Sequence, residues 1–542
     1  MINFKFIPFA WKSFYLLFLL CFASGVFFIF FRSRIGLCPV LMPVITLAIV
    51  LPLLIGMWRL CRRITDMFPA LAHRWILLIF MVLSAILQFY MGNQLRSVPM
   101  WDVDSIFYGG IIWARTGSLY YPSVYYITYL RYFAMFSIQW GAVFLFRNLY
   151  WVYSFFGGTD LHYLALLWNV AMVQAMVFSL YCAAKRLKGL QGGLFVILLL
   201  AIFLPFHFMG GIYYTDTLAM PFIAIAFSLY LRGRDEAVHD KKILLFVAVG
   251  AAIAMGGALK GTVIIILIAI CIDMLLTKKQ DWIPRLVCIG AMVFAFLLIY
   301  GGFNLYMSRI VIGPELIERY QLPFSYWAMV GLQGYGSFCS NDFLFTMSIP
   351  DLATRQSETF RIFLERLQEH GLGGMLNLFA AKFTINFGDG TYEMHRIYGQ
   401  SPINTTLLHD IILSNGRNFN AYAHLASGFT VAMLILMIIA SVFSLIKKGE
   451  PSHTAVPWLS FFGLMLFLVF SESGGRLSMI LFPTLVIGAM IGLSIIESLS
   501  DQFYNKCTGN DLNFCTQQET IEQTVFHETD DKQEDMLEED TI

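Results

Sequence analysis

The segment SFYLLFLLCFASGVFFIFF, residues 13–31, decides the class of protein. It contains no charged residue, and it is long enough for a helix to cross the hydrocarbon core of a bilayer, which takes about 20 apolar residues. It is too long for the apolar part of a cleavable signal peptide, and no Ala-x-Ala sequence follows it. We therefore predict that this segment is the first transmembrane helix.

The composition of the chain extends this prediction. Of its 542 residues, 58% are hydrophobic and only 13% are charged, whereas about 25% of residues are charged in soluble domains. Because long apolar runs recur, we predict an all-α polytopic membrane protein with about 12 to 14 transmembrane helices. The formal net charge of +1 gives no reason to expect nucleic acid as a partner. The nine cysteines show no CxxC pair and no ligand-like spacing, so we predict neither disulfides nor a metal site from them.

Basic clusters between the apolar runs set the predicted orientation, because cytoplasmic loops are enriched in Lys and Arg. With every cluster inside, both termini are cytoplasmic, and the segment 125–158 crosses the membrane an even number of times. The simplest case is that it does not cross, so we predict that it is re-entrant or interfacial, with 13 or 14 spans as the alternative to about 12. The clusters are Arg59, Arg62, Arg63 and Arg74; Lys185, Arg186 and Lys188; Arg232, Arg234, Lys241 and Lys242; Lys278, Lys279 and Arg285; and Lys447 with Lys448. The features left on the extracytoplasmic side are Asp102, Asp216, Lys260, Glu472 and a long loop, 304–426.

These assignments divide the chain into five parts. They are two N-terminal helices with a basic loop (1–74), a transmembrane core (75–303) that contains the first outer loop (93–124), an extracytoplasmic cap (304–426), the C-terminal transmembrane helices (427–499) and an acidic tail (500–542). The cap is too polar to span, but the apolar face of Ser357–His370 predicts a helix within it. The tail is rich in Asp, Glu, Gln and Thr, so we predict that it is disordered and cytoplasmic.

The stretch 99–121 carries the strongest functional signal. Asp102 and Asp104 follow a predicted outward span and precede an apolar, aromatic helix, Ser105–Arg115. Carboxylates at the mouth of a membrane protein are costly to place near lipid and are often functional. The alternative is that Asp104 only caps the following helix and that Asp102 is solvated. The residues alone leave both interpretations open.

Further polar residues fall on the same predicted side of the membrane. Carboxylates there can take a proton from a hydroxyl or orient a sugar, and cations can hold a phosphate. Each cation also has a structural interpretation, because Lys260 and Arg476 would be snorkelling side chains at the interface and Arg131 would be part of a structural pair. The available cations are Arg131, Arg147, Lys260, Arg396 and Arg476.

Several short motifs in this chain resemble those of the GT-C glycosyltransferases. In chain order they are WDVD (101–104), YTDTL (214–218), LKGT (259–262), PFSYWAMVGL (323–332), NFGDGTY (386–392) and SESGGRL (471–477). The superfamily includes the protein O-mannosyltransferases, the aminoarabinose transferases of lipid A and the oligosaccharyltransferases, and the motifs at 323–332 and 386–392 resemble a Gram-positive branch. The likeness covers roughly residues 75–499. It departs from the family at Gly261, where relatives have proline, at Leu477, where they have tyrosine, and in the extra pair of helices before Trp75.

The resemblance implies a GT-C-like fold and an inverting transfer at the outer face of the cell membrane. The donor would be a polyprenyl-phosphate sugar, and the acceptor a glycan, teichoic acid, lipid or protein of the cell envelope. By motif, the resemblance implies Asp102 as the catalytic base. The residues that it implies for substrate binding are Asp104, Asp216, Lys260, Trp327, Asp389, Glu472 and Arg476. Polyprenyl phosphate is already a good leaving group, so no cofactor is required, although some relatives bind a divalent cation through two outer carboxylates, here Asp102 and Asp216.

Three other classes of membrane protein remain as alternatives. A transporter or lipid-linked glycan flippase is expected to carry ionisable residues at mid-membrane depth and a detectable repeat. The predicted spans are nearly free of internal charge and show no repeat. An envelope polysaccharide polymerase also has one large outer loop, but it usually relies on arginines and histidines in that loop rather than on an early Asp-x-Asp. A non-catalytic scaffold has only the acidic tail in its favour.

Overall fold

The computed structural model describes residues 6–32, 41–123, 128–158, 160–277, 282–447 and 453–508. Within these ranges the regular structure is α-helical, apart from short 3-10 and π-helical turns and one isolated β-bridge, Ser97 to Pro402, and loops connect the helices. The helices of the first half are α1 Phe6–Arg32, α2 Leu41–Met67, α3 Ala70–Gln94, α4 Trp101–Thr116, α5 Tyr129–Met135, α6 Trp140–Ser154, α7 Leu161–Ile202, α8 Leu204–Met209, α9 Thr215–Asp235, α10 His239–Leu259 and α11 Ile264–Leu275. Those of the second half are α12 Trp282–Phe296, α13 Gly302–Tyr306, α14 Pro314–Tyr320, α15 Phe324–Gly331, α16 Ser340–Ser348, α17 Leu352–Gly388, α18 Met394–Tyr398, α19 His409–Ile412, α20 Phe419–Ile446, α21 Val456–Val469, α22 Gly475–Ser478 and α23 Phe482–Thr508.

Seven helical stretches in the described part of the chain are long and apolar enough to cross a membrane. They are Ile7–Phe31, Leu71–Gln94, Leu161–Ile202, His239–Leu259, Trp282–Ile312, Phe419–Ile446 and Gly475–Tyr504. They confirm the predicted all-α, multi-pass membrane class. The predicted total of about 12 is larger because it counts two spans rather than one for Leu161–Ile202 and also includes α2, α9, α11 and α21. Of these, α11 and α21 have 12 and 14 residues, fewer than the roughly 20 that an untilted crossing needs.

Helix α7 contains two of the predicted spans, 161–183 and 193–209, at least in part. The helix is interrupted at Gly189, which has a positive φ of 62°. Gly193 packs directly against the ring of Tyr181. In a straight helix these two residues would lie about 18 Å apart along the axis. The chain therefore turns back at Gly189, and α7 is a helical hairpin rather than one long rod.

The segment 125–158, predicted not to cross the membrane, forms short helices in its described part. The longest, α6, has 15 residues. Helix α4 packs along α6, and the contact is close because a Cβ on Gly110 would lie 2.6 Å from that of Phe146. The pair of α4 and α6 holds the start of α4, and with it Asp102, in place.

The start of α4 corrects the prediction for Asp104. The helix begins at Trp101, four residues before the predicted start at Ser105, and its N-cap, Met100, makes no side-chain hydrogen bond. Asp104 therefore lies inside the first turn and is not the cap. Carboxylates in the first turn of a helix are favoured by the helix dipole, so the helix includes both acidic residues instead of starting after them.

The predicted loop 304–426 is shorter in the structure. The helical run that starts with α12 continues through π-helical turns to Ile312, and α20 begins at Phe419. Between them lie short helices and the long α17, which is broken at Gly371 (φ 52°). The predicted helix 357–370 is the first arm of α17.

The described residues up to Ile491 form one compact unit, and those from Gly492 to Thr508 belong to a second. In the second unit, α23 is described as far as Thr508. Helix therefore continues past 500, where the tail was predicted to begin. The rest of the predicted tail lies outside the described residues.

Candidate functional site

A buried carboxylate between two cations forms the centre of the site. Asp216 lies in the first turn of α9 and is fully buried. Lys260, which follows α10, donates through Nζ to Oδ1 of Asp216. Nε of Arg476, in α22, lies 3.3 Å from Oδ2 of Asp216. Buried charges are tolerated when they are paired, and this pairing joins three segments that are far apart in the sequence. We call these three residues the ion cluster.

Irregular backbone before α9 sets the position of Asp216. The backbone is extended at Phe203, between α7 and the short helix α8, and it turns again between α8 and α9. Nδ2 of Asn169 donates to the carbonyls of Met209 and Gly210 at 2.9 and 2.8 Å, and Nε2 of Gln88 donates to that of Phe206 at 3.0 Å. Irregular backbone at membrane depth requires such internal partners. Polar side chains from α3 and α7 therefore fix the turn that leads into α9.

Asp102 is connected to the ion cluster by a tyrosine. Oδ1 of Asp102 accepts a hydrogen bond from the Tyr132 hydroxyl at 2.7 Å, and Oδ2 accepts one from the Tyr214 hydroxyl at 3.1 Å. The Tyr214 hydroxyl accepts from Nε2 of Gln139 at 3.0 Å. The guanidinium of Arg476 lies 4.7 Å from the centre of the Tyr214 ring. Burial and the Asp102 charge raise the pKa of Tyr214, so it donates to Asp102 as a neutral phenol.

Glu472 adds another carboxylate beside this cluster. Burial raises its pKa, while Arg476 and Lys260 act in the opposite direction. Burial lowers the pKa of Lys260, and Asp216 opposes that change. With all five groups ionised, Asp102, Asp216 and Glu472 contribute −3 and the two cations +2, a net charge of −1. The side chains of Lys260 and Arg476 are 14% and 31% exposed, so both cations can still be reached by an anionic ligand.

Asp104 is separated from this group by the geometry of α4. Residues two apart on a helix do not share a face, and Asp104 points away from the tyrosines that hold Asp102. It is 5% exposed, and its Oδ2 has no hydrogen-bond partner in the structure. Burial raises the pKa of Asp104 to about 6. The structure thus brings Asp102, Asp216, Lys260, Glu472 and Arg476 together and leaves Asp104 apart.

Trp327 approaches the site only through other aromatic side chains. Its ring contacts that of Tyr326, with centroids 5.1 Å apart, and lies 6.5 Å from Phe136. Phe136 in turn packs against Tyr132 at 4.9 Å, and Tyr132 donates to Asp102. Trp327 therefore supports the wall behind one of the Asp102 donors.

Asp389 lies beside the start of α22. Its Oδ1 accepts hydrogen bonds from the backbone N–H and the hydroxyl of Thr391, at 2.9 and 2.6 Å. Oδ2 accepts from the backbone N–H of Glu393 at 3.0 Å. The same oxygen packs against Gly475, the residue before Arg476. Asp389 thus shapes a turn that abuts the ion cluster.

Comparison with known proteins supports the class of protein. The family model described as "Conserved hypothetical integral membrane protein" matches residues 3–495. The chain belongs to this family. No curated protein matches it. Among solved structures, it is similar to the Archaeoglobus fulgidus oligosaccharyltransferase tethered to an acceptor peptide, with 11% identity and a TM-score of 0.29 over 79% of this chain. The match covers 56% of that protein, just over half its length, and a likeness this distant carries no argument about function.

Sequence reasoning about this integral membrane protein missed several residues of the site. Tyr132 and Tyr214 are two of 25 tyrosines, and nothing in their spacing marks them as partners of Asp102. Glu393 follows the backbone outlier Tyr392, and both have positive φ, 51° and 53° respectively. The carboxylate of Glu393 is directed at the Gly474–Gly475 backbone. Only the tertiary structure shows these contacts.

A buried lysine holds the segment that carries Glu472. Lys382, 1% exposed, donates through Nζ to the carbonyls of Leu468, Val469 and Ser471 at 3.0, 2.9 and 2.6 Å. These carbonyls lie at and just beyond the end of α21, where they have no helical partners. An ammonium group is well suited there because it also complements the helix dipole. The signal that could have found this role is that Lys382 is the one charged residue in the second arm of α17, 372–388.

No group of three or more His, Cys, Asp or Glu side chains that could hold a metal ion occurs among the described residues of this family member. Asp102 and Asp216, the two carboxylates that the resemblance offers to a divalent cation, already accept hydrogen bonds from tyrosines and from Lys260 respectively. A divalent cation held by these carboxylates would share them with those donors.

Proposed function

We propose that this integral membrane protein is a glycosyltransferase that moves a sugar from a polyprenyl-phosphate donor to a hydroxyl of a cell-envelope acceptor. The observation that carries the proposal is the connection, through Tyr214, of half-buried Asp102 with the buried ion cluster of Asp216, Lys260 and Arg476. Asp102 suits a proton acceptor, and the two cations suit an anionic leaving group. Transfer of a sugar from a phosphate requires both.

In the proposed reaction, the acceptor oxygen forms a bond to the anomeric carbon of the sugar. The bond from that carbon to the phosphate oxygen breaks, and its electron pair leaves with polyprenyl phosphate. Asp102 takes the proton of the acceptor hydroxyl. Tyr132 and Tyr214 each hold one oxygen of Asp102, which fixes the direction of the carboxylate while leaving each oxygen a further lone pair for the acceptor.

The phosphate gains negative charge as the bond to the sugar breaks. Lys260 and Arg476 are the partly exposed cations that would bind it. Because both are already anchored on Asp216, they need not reorganise during the reaction, which is the condition for effective electrostatic stabilisation. Glu472 is close enough for its charge to interact with those of Arg476 and Lys260, and its repulsion of the product anion would favour release.

A site at the extracytoplasmic end of the helices would suit a lipid-linked donor. The basic clusters of the sequence favour an extracytoplasmic position for this end of the helices. The polyprenyl chain would lie against lipid-facing helix surface, and the Trp282–Ile312 stretch has only 22% of its most apolar window buried. The alternative of a flippase or polymerase gains no comparable support from the geometry.

Purified full-length protein in lipid nanodiscs, incubated with a panel of radiolabelled polyprenyl-phosphate sugars and extracted envelope acceptors, tests the proposal. We expect one donor to be consumed with release of polyprenyl phosphate and transfer of label to the acceptor fraction. Asp102→Asn provides the inactive control. If the wild-type protein consumes none of the polyprenyl-phosphate hexoses, hexosamines or pentoses under these conditions, the proposed function is wrong.

A further inference from the structure

A narrow crevice lies next to the proposed catalytic centre. Tyr214 belongs to both, because its hydroxyl donates to Asp102 while the residue also forms part of the crevice wall. Val103, the neighbour of Asp102 in the chain, lines it as well. None of the ion-cluster residues lines it. The crevice walls come from the segments 95–99, 211–214 and 397–400, with Gly92 and His162.

Backbone hydrogen bonds hold the crevice open in a defined shape. The backbone N–H of Val98 donates to the carbonyl of Ser401 at 2.8 Å, and that of Ile403 donates to the carbonyl of Arg96 at 3.0 Å. These two bonds, with the β-bridge of Ser97 and Pro402, join the segment before α4 to the segment after α18. The walls are therefore fixed by main chain and are largely preformed.

The lining offers hydrogen-bonding groups with little net charge. Arg96 forms an ion pair with Asp160, with both contacts at 3.4 Å. His162 is 5% exposed, and its Nδ1 lies 3.1 Å from the Tyr213 hydroxyl. Nε2 of His162 is buried without a hydrogen-bond partner. Leaving a buried polar atom unpaired costs free energy, so a ligand hydroxyl that reached Nε2 on binding would recover that cost.

We propose that this crevice binds the acceptor and that the bound part of the acceptor is an uncharged, hydroxyl-bearing sugar. The proposal rests on the proposed function. The cations that would hold the donor phosphate lie on the ion-cluster side of Tyr214, so donor and acceptor reach Asp102 by separate routes, as a displacement at the anomeric carbon requires. A charged carboxylate or phosphate on the acceptor is disfavoured, because the only guanidinium in the crevice wall, Arg96, is already neutralised by Asp160.

Binding of short glycosides tests this proposal without any donor. The probes are a neutral butyl hexoside and the matching anionic butyl hexuronide, titrated against the full-length protein in nanodiscs by saturation-transfer NMR. We expect the hexoside to bind about tenfold more tightly than the hexuronide, a difference of roughly 1.4 kcal/mol. Equal or tighter binding of the hexuronide would overturn the assignment of an uncharged sugar.

Filling the crevice gives the decisive variant. Val98→Trp places a large ring in the wall and keeps the backbone N–H that bonds to Ser401. Val152→Trp is the matched control, because Val152 is exposed to a similar extent, 50% against 43%, but lies on α6 away from the crevice. We expect Val98→Trp and His162→Leu each to weaken hexoside binding about tenfold or more, and Val152→Trp to leave it unchanged. Unchanged binding in Val98→Trp would refute the site.

These outcomes are distinct from a failure of the proposed function. If the wild-type protein binds the hexoside in a manner sensitive to Val98→Trp but consumes no donor, the proposed transfer is wrong and the sugar-binding crevice stands. If the wild type transfers sugar while Val98→Trp alters neither hexoside affinity nor the KM for the acceptor, the crevice assignment is wrong and the transfer stands.

Discussion

Two buried aspartates in this protein have opposite kinds of partner. Asp273, in α11, is 3% exposed. All the hydrogen bonds described for it come from neutral donors. These donors are the hydroxyls of Tyr230 and Thr454 and the backbone N–H of Ala455, which opens α21. Asp216 is 0% exposed and is paired with two cations, one of which, Arg476, also lies over the ring of Tyr214.

The two aspartates are buried to the same extent, so it is their partners and not their burial that separate them. Asp273 ties α9, α11 and the start of α21 together, and its bonds end within that group. The Asp216 cluster instead continues through Tyr214 to Asp102, which is half-buried and can be reached by a substrate. A network of charged groups that leads to an accessible carboxylate is the arrangement expected of a site that handles protons and anions.

The largest expected effect is on Asp102. Asp102→Asn keeps the size of the side chain but removes the charge that accepts the proton of the acceptor hydroxyl. A positioned general base typically contributes about 10²–10⁴-fold to the rate. We therefore expect the transfer rate at saturating donor and acceptor to fall about 10²-fold or more, while donor binding and membrane insertion are retained. The measurement is the initial rate of label transfer with purified protein.

Asp104→Asn is the matched control for Asp102→Asn, because it changes the same residue type two positions along the same helix. Asp104 faces away from the ion cluster, so the transfer rate of Asp104→Asn should remain within a few-fold of that of the wild type. A rate for Asp102→Asn within a few-fold of the wild type, or a larger loss in Asp104→Asn than in Asp102→Asn, would contradict the assignment of the base.

Asp273 should show the reverse pattern. Asp273→Ala leaves three donors without their acceptor in the interior, and an unsatisfied buried donor costs about 1–3 kcal/mol. We expect the free energy of unfolding in detergent to fall by about 3–5 kcal/mol, with the transfer rate per folded molecule little changed. Asp235→Ala is the control, because its exposed ion pair with Arg186 should contribute at most about 1 kcal/mol. If Asp273→Ala lost as much of the transfer rate as Asp102→Asn, without a loss of stability, the contrast between the two buried aspartates would be wrong.

The fold could be predicted from the sequence to the extent that apolar runs mark helices. The hairpin within α7 was foreseen as two separate spans because Lys185, Arg186 and Lys188 interrupt its apolar sequence. The length of the run to Ile312 was not foreseen, because polar residues such as Asn304 suggested a loop there. Their polar groups bond within the helix instead, as the Asn304 amide does to the carbonyl of Tyr300.

The site was predictable in part for a similar reason. Asp216, Lys260 and Arg476 occur where apolar runs end, and ends of adjacent helices meet in a bundle, so their proximity followed from the pattern. The orientation of Asp104 did not follow, because it depends on whether the helix starts before or after the acidic pair. The role of Tyr214 could not be predicted either, since aromatic residues make up 16% of the chain and only tertiary contacts distinguish one tyrosine from another.

Asp104 provides a further test of the comparison, because its contribution to the unfolding free energy should depend on pH. Burial raises its pKa from 3.8 to about 6, so the folded protein holds a proton that the unfolded chain releases. The stability from this protonated group is complete below about pH 4 and is lost as the pH rises through about 6. Relative to Asp104→Asn, the wild type should lose on the order of 2–3 kcal/mol of unfolding free energy between pH 4 and 7.

Unfolding curves of the wild type and of Asp104→Asn at pH 4.5, 5.5, 6.5 and 7.5 measure this change. The difference in unfolding free energy between the two should grow with pH and level off above about pH 7. Asp235→Asn, an exposed carboxylate in an ion pair, should show no such growth. A difference for Asp104→Asn that stays constant over this range would mean that the carboxyl group is solvated and ionised in the folded protein.

The smallest expected effect concerns Asp389. The kind of hydrogen-bond donor around it predicts a structural role, as it does for Asp273. Asp389 accepts hydrogen bonds from Thr391 and Glu393 in its own turn. These donors are neutral, like those of Asp273. Asp389 also packs beside Gly475. Asp389→Asn keeps one oxygen for Thr391 and turns an amide group toward the N–H of Glu393. We expect a loss of about 1 kcal/mol in unfolding free energy and a transfer rate within a few-fold of the wild type. Thermal unfolding and initial rates of the same preparation measure both. If the rate instead falls tenfold or more while the unfolding free energy is unchanged, Asp389 acts with Arg476 on the substrate, as its motif implies, and a carboxylate held by neutral donors can also be functional.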